Sequence, residues 1–157
     1  MSSINSTLIN VKKKLEHYCA YQERCHDEVI QKLRNMALNS DEIDEVVVHL
    51  IENNFLNEER FACSFARGKF RIKKWGKIRI VNELKFRTIS QYTINQALKE
   101  IDEEEYLTTF HSLSELTWNI ITEKNKLKKR KKFCDYLLRK GWESTMIYEK
   151  VKEFESD

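Results

Sequence analysis

The chain is 157 residues long, 41% hydrophobic and 34% charged, with no proline, three glycines (Gly68, Gly76, Gly141) and a mean hydropathy of −0.64. So few turn-forming residues argue against sheet and for helices joined by short polar turns, while the charged share favours stacked small units over one compact sphere. The formal charge of +3 is uneven: residues 1–60 carry seven Lys/Arg against eleven Asp/Glu and residues 61–157 twenty-one against fourteen, a polarity that bears on partners and not on fold.

Leu8, Val11, Leu15, Tyr18 and Gln22 step by three or four and predict a first long helix. A second helix follows to about Arg34. A polar break at Asn39-Ser40 then opens a third, with Asn39 and Glu42 at capping-box spacing. Asn57 is the expected N-cap of the next long helix, Glu58 and Glu59 suit its positive start, and Phe61, Phe65 and Ala66 mark its face. Two shorter helices succeed it, the first ending near Phe86 and the second opening after Ser90-Gln91. Asp102 to Glu105 load the start of another long helix, and Tyr106, Leu107, Phe110, Leu113, Leu116, Trp118, Ile120 and Ile121 are its expected apolar residues. A further helix runs to about Arg139, Gly141 suits a left-handed cap, and the last helix begins after Glu143-Ser144.

Three 22-residue windows (29–50, 80–101 and 133–154) align without a gap at offsets of 51 and 53. Leu33, Leu84 and Leu137 coincide, as do Ile43, Ile94 and Ile147. Val29, Ile80 and Phe133 share a position, and so do Leu38, Ile89 and Trp142. With a long helix before each window, the expected fold is all-α: three tandem three-helix repeats over residues 1–54, 55–101 and 102–157, forming an elongated, curved array.

Catalytic patterns are missing: there is no Gly-rich phosphate loop, no HExxH and no nucleophile elbow, and His17, His26, His49 and His111 stand singly. Cys19 and Cys25 lie near His17 and His26, but on helices these side chains scatter over several faces, so all four cysteines are expected as reduced core thiols. No enzyme activity, metal or cofactor is expected. The start of the sequence lacks an apolar signal core and the longest apolar runs fall far short of a membrane span, so a soluble cytoplasmic protein with no membrane partner is expected.

The basic stretches stand out. Nine Lys/Arg between Arg67 and Arg87 face a single acid, Glu83, and seven between Lys124 and Lys132 face none. Such runs are either solvated helix faces or an electrostatic footprint for nucleic acid. Trp75, beside Gly76, has two roles open to it, stacking on a base or packing between two helices, and the turn favours packing.

The segment FLNEERFACSFARGKFRIKKWGKIRIVNEL (55–84) resembles the central unit of RecX, the family of bacterial regulators of the RecA recombinase. It has an acidic helix start before Arg60-Phe61-Ala62, a basic helix, a Trp-Gly turn, and Ile80 leading to Glu83-Leu84. Glu23-Arg24-Cys25 ahead of Val29 and Leu33 is similar to that family's opening repeat, and KKRKKFCDYLLRKGWESTMI to its closing one. The resemblance implies a monomeric modulator, mainly an inhibitor, lying in the groove of the RecA–single-stranded DNA filament and binding bare single-stranded DNA more weakly and salt-sensitively. On that basis the contact residues would be Arg67, Lys69, Arg71, Lys73, Lys74, Trp75, Lys77, Arg79, Lys128, Lys129, Arg130, Lys131, Lys132, Arg139 and Lys140. The alternative is a stand-alone helical nucleic-acid-binding protein with helix-turn-helix-like units.

Overall fold

The computed structural model describes residues 2–156, with side chains from Thr7 onward, and among them there are nine helices and no strand. They are α1 (Ser2–Tyr21), α2 (His26–Arg34), α3 (Ser40–Glu52), α4 (Glu58–Arg71), α5 (Lys77–Phe86), α6 (Gln91–Leu98), α7 (Glu103–Ile120), α8 (Lys126–Lys140) and α9 (Ser144–Glu155). No described helix is long and apolar enough to cross a membrane. The helices form three successive triplets. Gln22 lies past the end of α1, and α8 begins about two turns ahead of Phe133, which makes the basic run 126–132 helical.

Side-chain caps explain most of the helix starts. Asn39 accepts from the Glu42 N–H while the Glu42 carboxylate accepts from the Asn39 N–H, a reciprocal capping box. Asn57, Ser90, Asp102 and Asn125 each accept from the N–H three residues on. Glu143, at the N-cap of α9, makes no such bond because its carboxylate is used elsewhere. Between the second and third helix of every triplet the chain passes through a left-handed residue at the same register position: Ala37 (φ 57°), Thr88 (φ 62°) and Gly141 (φ 95°).

Leu33, Leu84 and Leu137 are fully buried, as are Val29, Ile80 and Phe133, so the repeat register coincides with the core. The interior is nonetheless two bodies. One core, from Val11 to Leu50, is built by the first triplet and closed by Leu56 from the loop before α4. The other runs unbroken through the second and third triplets and takes in a single residue of the first, Cys25. Polar bonds complete that first junction: Glu23 with Arg60 at 2.6 Å, and Thr88 Oγ1 donating to Asp27 at 2.9 Å.

Helix α7 departs from expectation. Tyr106 and Phe110 are buried, but Leu107, Leu116 and Ile120 are 47%, 58% and 66% exposed. At about 100° per residue, eight apolar side chains in sixteen positions cannot share one face. Leu116 and Ile120 share a second apolar surface with Leu113, and Leu107 lies apart from it.

Cys19, Cys25 and Cys134 are buried free thiols, while Cys63 is half-buried. Burial raises the Cys25 thiol from an ordinary 9.0 to about 11, and burial also raises the Tyr106 hydroxyl. A group whose folded-state pKa is raised contributes stability that is complete below its unfolded value and is lost as pH climbs through its folded value. The melting temperature is therefore expected to fall between pH 9 and pH 11, and Cys25→Ala to reduce that fall; thermal scans across this range check both.

Candidate nucleic-acid interface

The closest backbone approach lies between the turn at residues 72–76 and the turn at 139–142. Gly76 N–H donates to the Lys140 carbonyl at 2.9 Å and Ile78 N–H to the Gly141 carbonyl at 3.0 Å. Side chains fasten the pair: Trp142 Nε1 donates to the Lys74 carbonyl at 3.1 Å, Lys140 Nζ to the Lys73 carbonyl at 2.8 Å, and Arg79 Nη1 to the Arg139 carbonyl at 3.2 Å. Backbone meets backbone, which is why glycine stands at both positions. A Cβ on Gly76 would lie 2.6 Å from Trp142 Cα and closer still to the Gly141 carbonyl.

Beneath the two turns sits a buried polar bridge. The Tyr106 hydroxyl accepts from the Lys77 N–H at 2.9 Å and donates to Glu143, whose nearer oxygen is 2.7 Å away. Burial is the main cause of its raised pKa and the Glu143 carboxylate adds to it, so the phenol stays a neutral donor. Its ring packs 5.7 Å from Phe70 and 4.6 Å from Trp142, and Trp142 lies 5.4 Å from Phe110, centroid to centroid. Tyr106, Trp142 and Glu143 thus organise the site, although none of them carries a charge pattern that sequence could flag.

The structure divides the fourteen cations among the expected contact residues into two classes. Six have carboxylate partners: Arg67 with Glu100, Arg71 with Glu105, Lys77 with Glu103, Arg130 with Glu155, Lys131 with Asp135 and Lys132 with Glu123. The acidic start of α7 therefore does more than complement its helix dipole, because Glu103 and Glu105 neutralise cations of α5 and α4. Lys69, Lys73, Lys74, Arg79, Lys128, Lys129, Arg139 and Lys140 have no carboxylate within ion-pair distance among the described residues.

Six of those eight gather at the double turn: Lys69, Lys73, Lys74, Arg79, Arg139 and Lys140. Lys128 and Lys129 stand apart, about 17 Å along α8 from Lys140 at 1.5 Å per residue, with Lys129 over the Trp118 ring. Trp75 is half-buried and packs, as its place beside the turn suggested. Phe65 meets it edge-on at 6.1 Å, the Arg79 guanidinium lies 4.1 Å from its centroid and Lys69 Nζ 5.0 Å. A base could stack on that face only by displacing Arg79. The site is a compact cationic knob on a rigid double turn, able to meet phosphates or carboxylates without reading base identity.

Comparison with known proteins agrees with the fold. Residues 57–98 match the second three-helix domain of RecX. The chain is 32% identical over 129 residues to the regulatory protein RecX of Lactococcus lactis subsp. lactis, covering 80% of this chain and 48% of that protein. With the RecX of Clostridium acetobutylicum it is 30% identical over 134 residues, 83% of this chain and 62% of that one. It spans about half the length of most of the curated relatives it matches. Its fold is that of the crystal structure of RecX from Lactobacillus salivarius (TM-score 0.77, 22% identity, 94% of this chain and 98% of that one). A second RecX crystal structure superposes with a TM-score of 0.80 at 18% identity, covering 93% and 71%.

Proposed function

The chain belongs to the RecX family, and from that premise we propose that it restrains the RecA recombinase by lying in the groove of the RecA–single-stranded DNA filament, with the double-turn knob as its principal contact. The observation that carries this reading is the concentration of six cations without carboxylate partners where two triplets lock together. A rigid knob loses little conformational entropy on binding, and sequence-blind cations suit a filament formed on any DNA. The three units, 1–54, 55–101 and 102–157, act along the groove within a single monomer. Binding to bare single-stranded DNA is weaker and falls with salt, with a log–log slope of about −4 if all six cations engage phosphates.

Lys73 and Lys74 are the residues to test, since their side chains are exposed and bear no fold contact, whereas Lys77 is paired with Glu103 and Arg79 braces the turn. The Lys73→Glu, Lys74→Glu double variant should keep its melting temperature and lose roughly tenfold or more in filament affinity, measured by fluorescence anisotropy on labelled filament. Unchanged affinity would remove the knob from the interface. Loss of bare-DNA binding with filament binding intact would leave the DNA contact incidental.

A further inference from the structure

Leu107 stands apart, but the rest of the apolar surplus of α7 is gathered on one side. Leu113, Leu116, Ile120 and Ile121 form one wall of a cleft whose other wall is Tyr136 and the stem of Arg139 on α8, enclosing about 430 Å³. Leu113 and Leu116 also line an adjoining cleft of about 320 Å³ that reaches Lys74 at the double turn. The two clefts share Leu113 and Leu116 and together form a groove that follows α7 from Thr108 to Ile121, about 20 Å at 1.5 Å per residue. In the second triplet Phe65, Trp75, Lys69 and Arg79 pack on one another. In the third triplet Trp118 turns the other way, stacked 4.9 Å from Phe154, and leaves the groove open.

The rim has a sign. Arg139 and Lys74, one at each cleft, are exposed and have no side-chain partner among the described residues, while Lys132 is paired with Glu123 at 3.3 Å. The only acid in the lining, Asp135, is held by Lys131 at 2.7 Å. We propose that this groove docks an amphipathic helical segment of a protein partner, with apolar anchors at i, i+3 or i+4, and i+7 and carboxylates at its flanks. The inference rests on the filament reading in one respect: the partner is taken to be the recombinase itself, so that the protein holds the filament by a protein contact on α7 and α8 as well as by the cationic knob.

Leu116→Glu and Ile120→Glu test it, since both side chains are more than half exposed and the substitutions should leave the melting temperature in place. Affinity for the RecA filament should fall at least tenfold with either, while affinity for bare single-stranded DNA stays within twofold of the parent. Because Arg139 also belongs to the knob, Arg139→Glu should weaken filament binding by more than it weakens bare-DNA binding, and Asp135→Asn should leave filament binding equal or stronger. If the parent protein fails to bind the filament, the filament reading falls and the groove loses its partner with it. If the parent binds and both apolar variants bind equally well, the groove inference alone is wrong. Weakening by Leu116→Glu with none by Arg139→Glu would rule out an acidic occupant. Sedimentation of the protein alone covers the remaining case: a parent that self-associates and a Leu116→Glu variant that does not would assign the groove to a second copy of the chain.

Discussion

Gly76→Ala is expected to destabilise the protein by about 3 kcal/mol or more, because the added methyl would have to enter space held by backbone. The atoms it meets are the Gly141 carbonyl and Trp142 Cα, part of a turn fixed by two backbone hydrogen bonds, so no flexible side chain can yield. Relief requires the two turns to part, which would also release the Lys74 and Lys73 carbonyls from Trp142 and Lys140. For a chain of this length the melting temperature should drop by roughly 6–12 °C. Gly68→Ala is the matched control. Nothing lies within 4 Å of its would-be Cβ and it sits inside α4, so helix propensity should make it stabilising by about 0.5–1 kcal/mol. The same substitution is thus expected to take opposite signs at positions eight residues apart, which side-by-side thermal scans would read directly.

Trp142→Ala should be as damaging, at about 3–5 kcal/mol. The indole is fully buried, packs on Tyr106 and Phe110, and donates to the Lys74 carbonyl. Its loss opens a cavity in the core shared by the second and third triplets and frees the 72–76 turn. The first triplet has its own core, joined to the larger one chiefly through Cys25 and the polar bonds of Arg60 and Thr88, so it should be spared. Hydrogen exchange is the measurement: protection should collapse from α4 to α9 and persist in α2 and α3. Uniform collapse would show that the two cores unfold as one.

The helices were legible because their signals are local. Asn39 with Glu42, Asn57, Ser90 and Asp102 announce their helices within four residues, and the buried positions repeat at 51 and 53 along the chain. The pairing of Gly76 with Gly141 was not legible, because close approach of two backbones 65 residues apart leaves no local trace beyond the glycines themselves. The basic stretches were visible as charge but not as a site. Whether a lysine is free depends on acids from another element, and Glu103 and Glu105 silence Lys77 and Arg71 from the far side of a turn. The groove on α7 was hidden for the converse reason: Leu113, Leu116 and Ile120 read as core in a helix with apolar residues on two faces.

A protein that restrains RecA from the filament groove should act on the assembled filament and not on its DNA. ATP hydrolysis by preformed RecA–single-stranded DNA filaments tests this most directly, with the protein added well below one copy per RecA and free single-stranded DNA in excess in a parallel reaction. The expected result is inhibition at low ratio that the extra DNA does not relieve. Hydrolysis that is unaffected, or inhibition that disappears once DNA is in excess, would contradict it.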